Sequence, residues 1–556
     1  MPFVGEIFSQ LKAAADKKVL LEIRDGQVAG VTGDELLELI RKARTFLAAK
    51  GLKKGDRCGL LAANSIRWMA LDLAAMAEGL IVVPLYARQA PVELVAMIKD
   101  STPALVCCGD AMLRDGILNN WRGTNGSDAP PHFLFDEIFA SAGVDAIASD
   151  SLELADNDPV TIIYTSGTSG EAKGVVLTAA NVGFMLGCTS ARLDLLMGGR
   201  SGQDRIFHYL PFSFCASWIA TLTFLLRGSL VTLNTDLTKI PNDMPATAPH
   251  YFLNVPQLLE RMRRGVDEQI AQKGGVAQAI YSRAKLARAR RKEKRSRAGD
   301  TIWLWLANAV VFPAIRKKMV GENLKALICG SAPLTPETQD YFSMLGIPVL
   351  QVYGLTETTG ICTMDDPSDV VAGRVGPAIP GIEMRLGEND EIVVRGPNVF
   401  PGYWNRLQQT ADALRDGWFH SGDQGEMDAS GKWRIVGRIK NLIILGSGHK
   451  IAPETIEEEI SLRLPSAQQV VIVGNGRGYL SAIVTGSVSG EQVQAALDAV
   501  NPELPHYKQV RAFCLRGEPF SIENGMLTAN GKLKRDLISA RMKSEIEDMY
   551  LVKQAV

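Results

Sequence analysis

The stretch that most limits what this chain can become is TIIYTSGTSGEAKG at residues 161–174, where an apolar β-prone run breaks into Ser, Thr and Gly and ends near Lys173. A strand that opens into such a loop suits a polyphosphate. Glycines let backbone approach an anion, amides and hydroxyls of Thr165, Ser166, Gly167, Thr168, Ser169 and Gly170 can donate to phosphate oxygens, and Lys173 adds positive charge. The spacing excludes a Walker loop, because Gly170 and Lys173 are separated and Gly174 follows the lysine. Taken alone, a Ser/Gly segment is either a phosphate cradle or a flexible turn.

The surrounding pattern predicts an α/β fold. Helical periodicity over 33–50 and 91–99 alternates with β-type runs over 57–63, 81–85 and 104–108, the alternation of layered, largely parallel sheets. From 382 to 399 the chain becomes strand-rich with Gly, Asn and Asp turns, consistent with a small β subdomain. After Gly437-Arg438 a compact tail is expected: a helix near 453–462, a hairpin in QQVVIVGNGRGYLSAIVTG and a helix near 490–500. The division reads as an N-terminal domain over 1–437 and a small C-terminal domain over 438–556.

Composition narrows the function classes. Sixty Lys and Arg against sixty-one Asp and Glu leave a formal net charge of −1, so no global basic field points to nucleic acid. The eight cysteines (58, 107, 108, 188, 215, 329, 362, 514) are scattered without a CxxC pair, which favours reduced core thiols in a cytoplasmic protein over disulfides or zinc. The N-terminus carries Glu6 and polar breaks and does not read as a signal peptide. The longest apolar stretch, 303–315, is too short to span a bilayer. One segment stands apart. Residues 283–297 hold nine Lys or Arg and one acidic residue, without Pro or Gly, and lead into Trp303 and Trp305. This segment reads either as a basic helix touching an anionic membrane through 283–305 or as a solvated insertion beside ordinary core.

Four further segments share the order and character of a known set: GSAPL at 330–334, VYGLTETTG at 352–360, HSGDQGEMDASGKWRIVGRIKNLI at 420–443 and LTANGKLKR at 527–535. With 161–174 they make five ordered signatures, and the chain resembles the adenylate-forming superfamily of acyl-CoA synthetases, luciferases and adenylation domains. The wording of GRIKNLIILGSGHKIAPETIEEEI is most like that of long- and medium-chain fatty acyl-CoA ligases. The resemblance implies a large N-terminal domain of α/β sheets with a β subdomain and a mobile α+β C-terminal domain. It also implies ATP, Mg²⁺ and CoA as cofactors or substrates.

The same resemblance assigns roles residue by residue. Glu357 looks like the Mg²⁺ carboxylate, a hard oxygen ligand suited to that ion, and Thr356 like a phosphate contact. Tyr353 with Gly354 is similar to the adenine-stacking segment, and Gly330, Ser331 and Ala332 to the backbone wall beside it. Asp423 resembles the carboxylate that accepts both ribose hydroxyls, Arg438 a second ribose or phosphate contact, and Lys532 the lysine that bridges substrate carboxylate and α-phosphate. Lys440 matches the hinge about which the small domain turns, and the loop carrying Gly446 and Gly448 the passage for pantetheine.

There is one departure from the pattern. Fatty acyl-CoA ligases usually carry LP-x-x-H near the acyl pocket, whereas LPFSFCASWIA puts Phe214 at that position. An acyl pocket lined by Phe212, Phe214, Trp218, Phe252 and Val255 is the expectation, with ordinary core as the alternative. The chemistry expected is ATP-dependent activation of a carboxylic acid as acyl-AMP, followed by thioester formation with CoA. Transfer of the adenylate to a carrier protein or other acceptor, and a non-catalytic membrane-associated scaffold, are the alternatives.

Overall fold

A computed structural model describes residues 3–24, 26–121, 128–140, 152–166, 172–199, 203–528 and 531–551. Two mixed sheets dominate the N-terminal part. The first runs, in spatial order, Thr363–Met364, Val349–Tyr353, Ala326–Cys329, Tyr251–Asn254, Arg205–His208, Leu230–Asn234, Lys18–Arg24 and Gln27–Thr32. Its interior pairs are parallel and its two edge strands antiparallel. The second runs Gly402–Tyr403, Ala172–Thr178, Pro159–Ser166, Ile81–Leu85, Arg57–Leu61, Leu105–Cys108 and His132–Leu134.

Burial explains why these segments became strands. Ile81–Leu85 is buried at every position, as expected for a parallel strand covered by helices on both faces. The helix Gly33–Ala49 starts where Thr32 accepts from the Glu35 amide and Glu35 reaches back to the Thr32 amide, a capping box that satisfies otherwise orphaned donors. An antiparallel sheet built on Glu383–Leu386, Glu391–Arg395, Leu414–Arg415, Trp418–Met427 and Trp433–Arg438 forms the β subdomain. Beyond it lie the helix Pro453–Arg463 and a sheet of Ala467–Val473, Leu480–Gly486 and Val510–Arg516. Among the described residues three apolar cores belong to the part before Arg438 and two to the part after Asn441. The molecule therefore has a large N-terminal α/β domain and a smaller C-terminal one.

The basic segment departs from expectation. Its helix ends at Lys292, and residues 293–299 form an exposed turn. The apolar stretch that follows is bent: Asp300–Leu306 passes through a π-helical turn, Ala307–Val311, into Phe312–Val320. No helix among the described residues is long and apolar enough to cross a membrane.

Candidate active site

The described residues of 161–174 lie on two antiparallel strands, Pro159–Ser166 and Ala172–Thr178. Thr165 pairs with Lys173 and Ser166 with Ala172, so Lys173 rides the returning strand and not the loop. Gly167, Thr168, Ser169 and Gly170 lie outside the described residues, as does the side chain of Ser166. The antiparallel neighbour Gly402–Tyr403 sets Tyr403 opposite Val175. The Lys173 ammonium thereby comes 5.1 Å from the Tyr403 ring centroid, and the Tyr403 hydroxyl donates to Glu357 Oε1 at 2.9 Å. A cation and a carboxylate distant in sequence are joined through one phenol. Burial first, then the adjacent Glu357, pushes the Tyr403 phenol pKa up, which keeps it a donor. Tyr403 carries no signal of this role in its own sequence neighbourhood.

The GSAPL and GLTET segments leave adjacent parallel strands, whose register sets Cys329 against Gln351, so both loops open at the same carboxyl edge of the sheet. Gly330, Ser331 and Ala332 follow one strand; Tyr353 ends the other. Gly354 must be glycine: a Cβ there would lie 1.9 Å from the Gly360 carbonyl oxygen. This tight crossing folds Thr356–Thr358 into a single 3₁₀ turn that presents Thr356 and Glu357, both half-buried.

Asp423 sits on the strand Trp418–Met427 and is 4% exposed. One of its oxygens accepts from the Tyr353 hydroxyl at 2.8 Å and the other meets Arg438 Nε at 2.6 Å. Arg438 comes from the neighbouring strand, paired directly opposite Asp423. Burial raises the Asp423 pKa, while Arg438 and the Tyr353 hydroxyl pull it back. Tyr353 thus uses its hydroxyl to orient the acid, a contact additional to the stacking role the motif implied.

Lys532 stands on a turn closed by hydrogen bonds from the Thr528 amide to the Lys532 carbonyl at 2.8 Å and from the Lys532 amide to Thr528 Oγ1 at 3.1 Å. Lys532 is exposed, yet the protein packed around its ammonium holds the pKa below the usual lysine range. Arg438 adds to that depression; Asp423 and Glu357 oppose it. Lys440 is depressed in turn by burial, Arg438, Lys173 and Lys532, with Asp536 opposing. Four cations, Lys173, Arg438, Lys440 and Lys532, therefore face two carboxylates, Glu357 and Asp423, across the junction of the domains. Four clustered cations can serve a polyanion, with Asp536 and Glu454 as further acids close by.

The expected CoA loop is held by hydrogen bonds to its own domain and to the β subdomain. The Gly446 amide donates to the Arg477 carbonyl at 2.8 Å and the Gly448 amide to Leu445 at 2.8 Å, while the Lys450 ammonium donates to Asn389 of the β subdomain at 2.8 Å. The expected acyl pocket is divided. Phe212 and Trp218 pack into one core with Trp68, and Phe252 into another with Phe207, all at most 1% exposed. Val255 is half-buried against the second core. Phe214 stays near the site: it precedes the helix Cys215–Leu226, packs 5.4 Å from the Tyr86 ring, and adjoins Cys215, whose thiol pKa rises through burial and the nearby Glu357.

Of the basic segment's nine cations, several are engaged within the protein. Lys285 pairs with Asp267 at 3.0 Å, Arg290 with the buried Asp300, Lys292 with Asp340, and Arg283 lies 4.2 Å from the Trp303 ring centroid.

A family profile described as AMP-binding enzyme matches residues 8–404, and one described as AMP-binding enzyme C-terminal domain matches 440–554. The long-chain-fatty-acid–CoA ligase FadD15 of Mycobacterium tuberculosis is 26% identical over 98% of this chain and 96% of its own length. The long-chain-fatty-acid–CoA ligase ACSBG2 of Rattus norvegicus is 26% identical over 94% of this chain and 88% of its own. Among solved structures, O-succinylbenzoate coenzyme A synthetase from Bacillus subtilis, in complex with ATP and magnesium ion, superposes with a TM-score of 0.74 at 20% identity, covering 96% of this chain and 98% of that one. A Mycobacterium tuberculosis fatty acyl CoA synthetase gives 0.67 at 22% identity, over 98% and 99% of the two chains.

Proposed function

This chain belongs to the AMP-binding enzyme family, and we propose that it is an ATP-dependent acid–thiol ligase acting on a fatty acid. The observation that carries the reading is the convergence of Lys173, Arg438, Lys440 and Lys532 with Glu357 and Asp423 at one cleft. The hydroxyl of a carboxylic acid is a poor leaving group, so the acid must be activated. Its oxygen attacks the α-phosphorus of ATP, the bond to pyrophosphate breaks, and an acyl-adenylate remains. Two anions must meet for this, and fixed cations offset their repulsion. Lys532 would hold the acid beside the α-phosphate, Lys173 and Thr356 would contact phosphate oxygens, and Asp423 with Arg438 would hold the ribose. In the second step a CoA thiolate attacks the acyl carbonyl and AMP leaves.

Glu357 fits the resident cation of such a site. Mg²⁺ is commonly held by one or two carboxylates plus substrate phosphates, and Tyr403 engages Glu357 through one oxygen, leaving the carboxylate facing the cations. When bound, the ion would supply charge neutralisation at the phosphates. In this reading the two domains join at Gly437-Arg438, and Lys440 is the hinge. Rotation there would withdraw Lys532 and bring in the Gly446–Gly448 loop. The test is acid-dependent ATP–pyrophosphate exchange over saturated acids from hexanoate to hexadecanoate, then the same acids with CoA. Exchange with thioester formation is expected. Exchange without thioester would indicate a different acceptor such as a carrier protein, and no exchange would indicate a scaffold.

Peripheral contact with an anionic membrane belongs to the same reading, but on a different footing from the basic helix alone, whose cations are largely engaged. Ile302, Trp305 and Val310 are 60%, 67% and 64% exposed along one helical stripe, and the exposed turn bearing Lys294, Arg295 and Arg297 leads into it. An apolar stripe beside cations matches an anionic interface. The parent should co-sediment with phosphatidylglycerol-containing vesicles at low salt and the Ile302→Glu/Trp305→Glu variant should not; equal sedimentation of the two would remove this surface.

A further inference from the structure

Three residues beyond Lys532, Arg535 opens the helix Arg535–Arg541 and turns its guanidinium into the C-terminal domain. It grips Glu457 of the helix Pro453–Arg463 with two hydrogen bonds, Nη1 to Oε1 at 2.7 Å and Nη2 to Oε2 at 2.5 Å. Glu457 is 8% exposed, and its Oε1 also accepts from the Ile472 amide at 2.7 Å, so the acid is anchored to the domain's sheet. One turn earlier on the same helix, Glu454 lies 4.0 Å from Arg535 and accepts from Asn441 Nδ2 at 2.6 Å. Asn441 directly follows Lys440. Glu454 Oε2 is buried without a hydrogen-bond partner and sits 2.7 Å from where a Cβ on Gly437 would stand. One helix face therefore holds both the turn that carries Lys532 and the segment that carries the hinge.

We propose that Glu457, acting through Arg535, is a positioning residue for Lys532 in the adenylation half-reaction. The physical case is that Lys532 is a long side chain on a short turn. Its ammonium can serve the α-phosphate only if the turn is fixed, and the two-point Arg535–Glu457 contact fixes it three residues away. A bidentate guanidinium–carboxylate pair confers orientation as well as energy. Glu457 touches no part of the site itself. The pair lies wholly within the C-terminal domain, so it persists when the domain turns. Its loss should be felt only in the half-reaction in which Lys532 faces the site. This inference rests on the role assigned to Lys532 above.

The experiment compares the parent, Glu457→Gln, Arg535→Lys and Lys532→Ala in two assays. One is pyrophosphate exchange with dodecanoate; the other is thioester formation from preformed dodecanoyl-AMP and CoA. Glutamine keeps the volume of Glu457 and an acceptor for the Ile472 amide, so the fold is spared. Glu457→Gln should lower exchange by about 10- to 100-fold, the scale of a small misplacement of a catalytic group, while thioester formation stays within about threefold. Arg535→Lys keeps the charge but loses the fork, and should fall between parent and Glu457→Gln in exchange. Equal losses in both assays would make the pair merely structural and overturn the proposal, as would undiminished exchange in Glu457→Gln. If Lys532→Ala itself keeps exchange, the assignment of Lys532 fails instead, and the two failures are distinguished within one experiment.

Discussion

Asp423 has both oxygens engaged, one by Tyr353 and one by Arg438, so its orientation is fixed before any ribose arrives. A preoriented acid spends little entropy on binding. Asp423→Ala should weaken AMP binding by on the order of 2 to 3 kcal/mol, the worth of hydrogen bonds to a charged group; calorimetry returning the parent affinity would take Asp423 out of the nucleotide site. Tyr403 acts at the same scale. Tyr403→Phe keeps the ring beside Lys173 and deletes only the hydroxyl on Glu357, so exchange should slow by about 3- to 10-fold, the equivalent of one neutral-donor hydrogen bond. Tyr403→Ala removes both contacts and should cost more. If both variants match the parent, the Lys173–Tyr403–Glu357 relay has no part in the chemistry.

Helices Ile66–Ala77 and Cys215–Leu226 are joined inside the first core by a hydrogen bond from Trp218 Nε1 to Asp72 Oδ2 at 2.8 Å. Asp72 is fully buried, and its other oxygen has no partner. Burial pushes its pKa up to about 7 from 3.8, with Trp218 opposing. A folded pKa raised above the unfolded one means that, between those two values, the native state holds a proton the unfolded chain has released. Stability therefore falls as pH rises through that window and levels off above about 7. Asp72→Asn mimics the protonated acid. Urea unfolding at pH near 5 and near 8 should show the parent losing stability that the variant keeps, by on the order of a few kcal/mol at about 1.4 per pKa unit. Asp365, also buried with its pKa raised to about 7, contributes in the same direction and leaves the variant some slope. Identical slopes in the two proteins would show Asp72 ionised in the native state. The stakes reach the site, because the helix Trp218 belongs to begins at Cys215, beside Glu357.

At the scale of the molecule, the described residues include charged and polar contacts between the two domains outside the site. Lys534 lies 3.7 Å from Glu93, both partly exposed, and Lys450 bonds Asn389. Exposed pairs are worth at most about 1 kcal/mol, which suits a contact that would have to break in the domain rotation proposed above. Glu93→Lys sets like charges together in the arrangement that presents Lys532. Exchange should drop by no more than about fivefold at low salt, the difference should close as salt screens the pair, and thioester formation from preformed adenylate should be unchanged. A loss that ignores salt would mean that Glu93 acts by some other route.

Local pattern determined a good deal of this protein. The apolar run at 81–85 became a buried strand, the box at Thr32 and Glu35 started a helix at Gly33, and the glycine of GLTET was required by a crossing too close for any Cβ. These are short-range consequences of periodicity, capping and sterics, so neighbours in sequence suffice to read them. The motif residues Lys173, Glu357, Asp423, Arg438 and Lys532 were singled out by a different route, the resemblance of their strings to the adenylate-forming superfamily, and their roles are the proposal made above. Their juxtaposition was not. Tyr403 reaches Glu357 across 46 residues, Arg535 reaches Glu457 across 78, and Phe212 and Phe252, alike in composition, fall into different cores. Only the tertiary structure decided these, because strand order and helix packing, not local propensity, determine which distant side chains share a dielectric environment and which cations of a basic segment find acids before they find solvent.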